Sequence, residues 1–207
     1  MTDNLTPQEI FWSKKIGQSY MEHNKFEPGE REIQRSTFFD LFNFLDKNSK
    51  ILECGCNLGT NLAILKERDF GAGFKNLHGI EIFEGAANEA RKNVPTAQIT
   101  TGTMLNLPYK DNEFDVVFTS GVLIHQNPKN SLIKALSEIY RVSNNFIIGL
   151  EDFAPMFQTR TYRGEEERYW QGPYHDFIQN QFPSLKPQTI SHVTHNNWPR
   201  VQYVFQK

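Results

Sequence analysis

The sequence predicts an α/β fold built on a mostly parallel sheet, and three observations lead to this prediction. Short apolar runs alternate with helical patterns from Lys50 to Leu150, as they do in chains of βαβ units. The first run passes directly into a turn with two glycines, in ILECGCNLGTNL, which is typical of the first strand-to-helix joint in such sheets. Two β-like runs near the C-terminus are separated by only a few residues, so they should form an antiparallel hairpin.

Each predicted element follows from its apolar spacing and its flanking residues. Two helices come first, at Pro7–Asn24 and from about Pro28 to Leu45, because apolar side chains recur there at helical spacing. The alternating part then gives strands at Lys50–Cys54, Asn76–Ile82, Ala97–Gly102, Phe114–Ser120 and Asn145–Leu150. The helices between them are expected at Asn57–Arg68, Glu84–Asn93 and Pro128–Val142. The C-terminal part gives a helix at about Tyr174–Asn180 and hairpin strands at Gln188–Thr194 and Trp198–Phe205.

Composition narrows the class of protein. A length of 207 residues suits one domain, and a net charge of −2 gives no reason to expect a nucleic-acid or membrane partner. The two cysteines, Cys54 and Cys56, have no neighbours with zinc-ligand spacing, so we expect free thiols and no metal site. No apolar run approaches the ~18 residues of a membrane span, and no signal-peptide pattern opens the chain. We therefore expect a soluble, cytoplasmic protein.

The turn after the first strand argues against two common classes of ligand, dinucleotides and nucleoside triphosphates. A dinucleotide fingerprint needs three glycines, but the corresponding positions are Gly55, Asn57 and Thr60. A phosphate-binding loop for nucleoside triphosphates needs Gly-Lys-Ser/Thr, whereas Gly59 is followed by Thr60 and Asn61. What remains is E-x-G-x-x-x-G after the first strand, with Glu81 at the end of the second strand.

This combination resembles the class I S-adenosylmethionine-dependent methyltransferases over about Lys50 to Asp152, including the stretch GTMLNLPYKDNEFDVVFTSGVLIH. The resemblance implies a Rossmann-like, seven-stranded sheet, S-adenosylmethionine as cofactor, and Glu81 as the acid that binds the ribose hydroxyls. It departs from many members at Asn57, where they carry glycine. The cofactor contacts that it implies are Glu53, Gly55, Cys56, Asn57, Gly59, Glu81, Ile82, Thr103, Met104, Ser120 and Gly121.

A narrower resemblance covers nearly the whole chain. The segments FWSKKIGQSYMEHN, LECGCNLGTNL, EIYRVSNNFIIGLEDFAP and YRGEEERYW are similar to small methyltransferases associated with pseudaminic acid biosynthesis. This resemblance implies a small-molecule acceptor, namely a sugar or nucleotide sugar of nonulosonate or surface-glycan biosynthesis. The single domain is then divided into an N-terminal helical cap (1–49), a cofactor-binding core (50–152), and an acceptor-side segment with the hairpin (153–207).

The acceptor side is expected beyond the fourth and fifth strands, where ligands bind to such sheets. His125 and Glu151 are the candidate catalytic residues, His125 because imidazole titrates near neutral pH. The candidate acceptor contacts are Tyr20, Asp152, Tyr162, Arg163 and Trp170, since aromatic faces and guanidinium groups suit an anionic sugar. Each of them could instead have a structural role. Two other functions stay open, namely a methyltransferase for an amine or carboxylic acid and a non-catalytic S-adenosylmethionine-binding protein.

Overall fold

The computed structural model describes residues 5–68, 73–195 and 197–207, except for the side chain of residue 15. Seven strands form one sheet, in the spatial order 98–101, 76–81, 50–54, 114–120, 143–152, 198–206 and 186–195. The chain divides between Pro108 and Tyr109 into two compact units, which are described in turn. No helix among the described residues is long and apolar enough to span a membrane.

The first unit carries the N-terminal helices and three parallel strands. Its strands are β1 (Lys50–Cys54), β2 (Asn76–Glu81) and β3 (Gln98–Thr101), with β2 paired in parallel to both neighbours. The strand β1 is apolar and almost wholly buried, as expected of a strand covered on both faces. Its helices are α1 (Pro7–Ile10), a π-helix (Phe11–Ile16), α2 (Gly17–His23), α3 (Pro28–Gln34), α4 (Ser36–Asp40), α5 (Thr60–Glu67) and α6 (Glu84–Asn93).

The second unit contains one parallel strand pair and the C-terminal hairpin. The parallel pair is β4 (Phe114–Ser120) with β5 (Ser143–Asp152), joined through a 3₁₀ turn (Leu123–His125) and α7 (Ser131–Val142). The hairpin strands β8 (Lys186–His195) and β9 (Trp198–Gln206) are antiparallel, and β9 also pairs antiparallel with β5. The remaining elements are two-residue strands β6 (Gln158–Thr159) and β7 (Trp170–Gln171) and helix α8 (Tyr174–Gln181).

The predicted elements are confirmed, with β1, β4 and α6 matching to the residue. The helix predicted from Asn57 begins only at Thr60, because Asn57 and Gly59 have φ values of 46° and 79°, which no α-helix accommodates. The second N-terminal helix is interrupted at Arg35, whose φ of −126° is not helical. The small ladder of β6 and β7 was not predicted. Residues 1–4 of the predicted cap and residue 196 of the predicted hairpin connection lie outside the described residues.

The strand β5 is longer than its apolar run predicts. Glu151 and Asp152, expected to follow this strand, lie within it and pair with Val201 and Arg200 of β9. Both acids are almost completely buried, with 0% and 2% of their surface exposed. Backbone pairing to β9 extends the strand, and the apolar pattern of β5 alone carries no sign of this pairing.

Gly149 of β5 offers a test of packing in the second unit. A Cβ atom at this position would overlap the ring of Tyr203, its buried cross-strand partner in β9. We expect Gly149→Ala to lower the free energy of unfolding by about 1–3 kcal/mol or more, because a closely packed core has no room for the methyl group. Gly29→Ala is the control, since nothing lies within 4 Å of its Cβ position. Equal stability of the two variants in urea titrations would contradict the packing of Tyr203 on Gly149.

Candidate functional site

The turn between β1 and α5 has three residues in left-handed conformation. The φ values are 73° at Gly55, 46° at Asn57 and 79° at Gly59. Glycine adopts these values without strain, and asparagine is one of the few other residues that tolerates them. Asn57 is therefore compatible with a position where many similar proteins carry glycine. The amides of Gly55 and Cys56 both donate to the carbonyl of Ile80, at 2.8 and 3.1 Å, which anchors the turn to the end of β2.

Glu81 at the end of β2 joins this turn to the following loop. Its Oε2 accepts a hydrogen bond from the Asn57 amide, and its Oε1 accepts one from the Phe83 amide, both at 3.0 Å. Burial raises the pKa of Glu81, and these backbone hydrogen bonds oppose that rise. Two amides thus fix the carboxylate in one orientation, while each oxygen keeps a lone pair to accept further hydrogen bonds.

Glu53 in β1 is a buried acid with an unsatisfied oxygen. Its side chain is 1% exposed, and Oε1 accepts a 2.6 Å hydrogen bond from Asn61 Nδ2. Among the described residues, Oε2 has no hydrogen-bond partner. Burial raises the pKa of Glu53 to about 8, although Asn61 and the charges of Arg31 and Arg35 oppose the rise. A buried acceptor of this kind is costly unless a ligand group satisfies it.

The loop after β3 is held by the N-terminal segment. Thr103 donates its hydroxyl proton to Glu9, and its own oxygen accepts from the Leu105 amide. Glu9 also closes a capping box with Thr6 at the start of α1. The neighbouring Met104 is buried. Thr103 therefore has an orienting role within the first unit, and its contact with the cofactor stays a prediction.

The other cofactor and acceptor candidates of the first unit differ in accessibility. Ile82 is half-buried at the end of β2. Cys56 is 3% exposed and packs against Gly79, so its thiol belongs to the core. Burial raises the pKa of that thiol well above its ordinary value. Tyr20 in α2 is half-buried and makes an edge contact with Trp12, with 4.9 Å between ring centroids.

In the second unit, Glu151 orients the loop that follows β4. The amide of Gly121, which has a φ of 68°, donates to the carbonyl of Leu150, and the next amide, from Val122, donates to Glu151 Oε2 at 3.1 Å. Ser120 is the last residue of β4. Burial raises the pKa of Glu151 to about 7, opposed by a hydrogen bond from Thr119. The carboxylate therefore contacts the backbone of the loop that leads to His125.

His125 is buried against aromatic side chains. Its Nδ1 lies 2.9 Å from the carbonyl oxygen of Arg168; since that carbonyl can only accept, Nδ1 carries the proton. Burial lowers the pKa of His125 to about 4, so the expectation that this ring titrates near neutral pH is wrong. The ring is neutral at pH 7, and Nε2 is its unprotonated nitrogen. Its centroid lies 5.3 Å from that of Tyr162 and 6.0 Å from that of Tyr169.

Asp152 holds three side chains together. It accepts hydrogen bonds from the Tyr169 hydroxyl and from Trp198 Nε1, the latter at 2.6 Å. Its other oxygen lies 2.8 Å from Nε of Arg200. The predicted role of Asp152 as an acceptor contact therefore competes with three partners from the chain itself, and the geometry supports a structural role.

The segment from Tyr162 to Trp170 forms a turn and a short ladder. Tyr162 and Glu165 exchange two backbone hydrogen bonds of 2.9 and 3.0 Å, and the residues between them, Arg163 and Gly164, have φ values of 50° and 80°. Positive φ at both central positions is the pattern of a type I′ turn. Arginine in this conformation is uncommon and carries strain. Arg163 is exposed at the tip of the turn, with Cζ 5.9 Å from the Tyr162 ring centroid.

Trp170 departs most clearly from its predicted role. It lies in β7 with 5% of its surface exposed, and its carbonyl accepts a hydrogen bond from the Tyr174 hydroxyl. A side chain buried in this way offers no face to an acceptor. The accessible aromatic side chain is instead Tyr162, which is half-buried. Its ring stacks on the buried ring of Tyr169 at 5.7 Å with an interplanar angle of 11°.

Sequence reasoning gave no role to Trp198 and Arg200 at the start of β9. Both contact Asp152, which lies more than forty positions earlier in the chain. The available sequence signal was their place at the start of a predicted hairpin strand. Within the described ranges, no three His, Cys, Asp or Glu side chains are grouped so that they could hold a metal ion.

Comparison with a protein-family model gives a match over residues 52–145, to a family described as a methyltransferase domain. The matched range contains the turn, Glu81, the loop after β3 and His125. Most of the acceptor candidates lie C-terminal to it.

An uncharacterized protein of Methanocaldococcus jannaschii is 31% identical over 99 residues, which is 48% of this chain and 38% of that protein. The chain thus matches well under half the length of this curated relative. Among solved structures, magnesium protoporphyrin IX methyltransferase from Synechocystis is similar with a TM-score of 0.68, at 15% identity and full coverage of both chains. A SAM-dependent methyltransferase from Methanosarcina mazei has a TM-score of 0.65 at 14% identity, covering 81% of this chain and 96% of its own. At these identities the structures share the fold.

The buried acid Glu53 generates a prediction about pH and stability. Its pKa is about 8 in the folded protein against an ordinary 4.5, so between these values the unfolded chain loses a proton that the folded chain keeps. This difference lowers stability as pH rises, by up to about 1.4 kcal/mol per pH unit.

Glu53→Gln keeps an acceptor for Asn61 and removes this ionisation. We expect the variant to gain stability relative to the wild type between pH 5 and pH 8, measured by urea unfolding at each pH. Other titrating groups are common to both proteins and cancel in the comparison. Parallel stability curves over this range would contradict the raised pKa of Glu53.

Proposed function

We propose that the chain, whose residues 52–145 match a methyltransferase-domain family, is a methyltransferase with S-adenosylmethionine as its cofactor. We propose further that its acceptor is a sugar or nucleotide sugar of nonulosonate or surface-glycan biosynthesis. The observation that carries the methyltransferase part is the left-handed turn joined to the oriented carboxylate of Glu81. The sugar part rests on the narrower sequence resemblance and on the aromatic and arginine side chains of the second unit.

The first unit fits the cofactor on chemical grounds. Two vicinal ribose hydroxyls need a fixed acceptor, and Glu81 is held by two amides with lone pairs remaining. Glu53 keeps its proton up to a pKa of about 8 without a ligand, and a positively charged amino group beside it would lower that pKa and favour the ionised carboxylate. Its Oε2 has no hydrogen-bond partner among the described residues. Gly55 lets a ligand approach the backbone closely, because glycine has no side chain. The Cβ position of Gly59 instead faces Val94 and Ala90, so this glycine allows close packing of the turn on α6. When bound, S-adenosylmethionine supplies an electrophilic methyl group.

The second unit supplies side chains that suit a polar acceptor. The half-buried Tyr162 ring, stacked on the buried Tyr169, provides an apolar wall of the kind that sugar rings pack on. Arg163 provides a planar donor for carboxylate or phosphate oxygens. His125 beside this wall is neutral, with Nε2 unprotonated. We assign to Nε2 the hydrogen bond from an acceptor hydroxyl, whose proton moves toward this nitrogen as the oxygen is methylated. Glu151 acts through the loop backbone as a positioning residue.

Loss of the Glu81 carboxylate tests the donor site. We expect Glu81→Ala to weaken binding of S-adenosylhomocysteine by about 1–3 kcal/mol, because hydrogen bonds to a charged group are lost. Isothermal titration calorimetry measures the change. Glu89→Ala is the matched control, since Glu89 lies on α6 and pairs with Lys92 at the surface. A folded Glu81→Ala protein with wild-type affinity would remove Glu81 from the site.

Replacement of Arg163 by lysine tests the acceptor class. The variant keeps the charge and the left-handed backbone of this position, so it isolates the loss of the planar guanidinium. We expect a raised KM for anionic sugars, by about tenfold for one lost bidentate contact, with unchanged affinity for S-adenosylhomocysteine. Turnover is measured with labelled donor and a panel of sugar and non-sugar acceptors. Wild-type kinetics on every anionic sugar, together with turnover of an uncharged amine or acid, would contradict the sugar assignment.

A further inference from the structure

Arg160 is an arginine that sequence reasoning did not single out, and its surroundings differ from those of the other arginines in this region. Its guanidinium carbon lies 4.7 Å from the ring centroid of Trp198. Contact with the face of an aromatic ring holds a guanidinium in place without using its N–H donors, which point outward in the guanidinium plane. The side chain of Arg160 is exposed, so these donors are accessible.

Both the Trp198 ring and the backbone of Arg160 are held in place by hydrogen bonds. Trp198 donates its indole N–H to the buried Asp152 at 2.6 Å, and it also lies 3.0 Å from the Tyr169 hydroxyl. The backbone amide of Arg160 donates to the carbonyl of Tyr169 at 3.1 Å, directly after the pairing of Thr159 with Trp170. The ring and the backbone are therefore both anchored, and less entropy is lost when a ligand binds such a preorganised group.

The positive charge of Arg160 is not neutralised by Asp152, the carboxylate that accepts the hydrogen bond from Trp198. Asp152 is already paired with Arg200, whose Nε lies 2.8 Å from it. Among the described residues, no carboxylate lies within ion-pair distance of the Arg160 guanidinium. Arg168, by comparison, has Glu165 at 3.8 Å. An anchored, exposed guanidinium without a carboxylate partner is suited to bind an anion.

We propose that Arg160, stacked on Trp198, binds an anionic oxygen group of the ligand, either a phosphate or a carboxylate. This inference rests on the proposed function only in assigning that group to the acceptor. The anion site itself stands on the contacts of Arg160, Trp198 and Asp152. It adds a specificity-determining residue that selects charged acceptors over neutral ones of the same shape.

The Trp198 indole N–H is a reporter within the site. The protein has three tryptophans, so the indole region of a ¹H–¹⁵N spectrum contains few signals, and Trp198→Phe assigns the relevant one. The full chain is titrated separately with inorganic phosphate and with acetate, at an ionic strength held constant with sodium chloride. We expect a saturable shift of the Trp198 signal. The anion that gives the tighter curve identifies whether the group is a phosphate or a carboxylate.

Arg160→Gln should weaken this binding by about tenfold or more, because a hydrogen bond between two charged groups is lost. Lys134→Gln is the control, since it removes one exposed positive charge from α7 in the same unit and should leave the curve unchanged. The unliganded positions of the Trp12 and Trp170 signals check that each variant is folded. A shift that never saturates with either anion, or equal curves for wild type and Arg160→Gln, overturns the proposal.

Calorimetry with S-adenosylhomocysteine separates the two proposals. Anion binding at Arg160 without binding of S-adenosylhomocysteine would uphold this site and contradict the methyltransferase proposal. Binding of S-adenosylhomocysteine without any response to phosphate or acetate would uphold the methyltransferase proposal and contradict the anion site at Arg160.

Discussion

The chain leaves β1 through three left-handed residues, Gly55, Asn57 and Gly59, and the geometry of the donor side depends on this turn. The turn brings the Asn57 amide to Glu81, so an acid 24 positions later in the chain is oriented by backbone rather than by a flexible side chain. It also delays the start of α5 to Thr60. A residue that cannot adopt positive φ at these positions would disturb the turn and the carboxylate together.

The buried acids of the two units are treated differently by their surroundings. Asp152 accepts hydrogen bonds from Tyr169 and Trp198 and forms an ion pair with Arg200, and a carboxylate held in this way stabilises local structure. Glu53 accepts one side-chain hydrogen bond, from Asn61, whereas Glu151 accepts from Thr119 and from loop amides. Burial nevertheless raises the pKa of Glu53 to about 8 and that of Glu151 to about 7. Acids with strongly shifted pKa values are frequent at functional sites. Glu53 combines its shift with an unsatisfied oxygen, which favours contact with a cationic ligand group.

The aromatic cluster of the second unit has a consequence for proton transfer. Burial against Tyr162 and Tyr169 keeps His125 neutral, and the Arg168 carbonyl selects its tautomer. A neutral imidazole with a low pKa is a weak base, so it serves best where the oxygen proton becomes acidic during the reaction itself. In the reaction that we propose, positioning of the reactants would therefore carry the larger share of the rate enhancement.

The sequence by itself determined the order of the elements, the strand-to-helix turn and the position of Glu81, because these follow from φ preferences and apolar periodicity within short segments. Tertiary structure decided the rest. The pairing of β5 with β9 placed Glu151 and Asp152 inside a strand. Packing buried the Trp170 side chain, and the aromatic ring that contacts Arg160 is that of Trp198. The pKa of His125 likewise depends on a segment some forty residues away. Burial, pairing and charge compensation are set by residues distant in the chain, and no local pattern in the sequence encodes them.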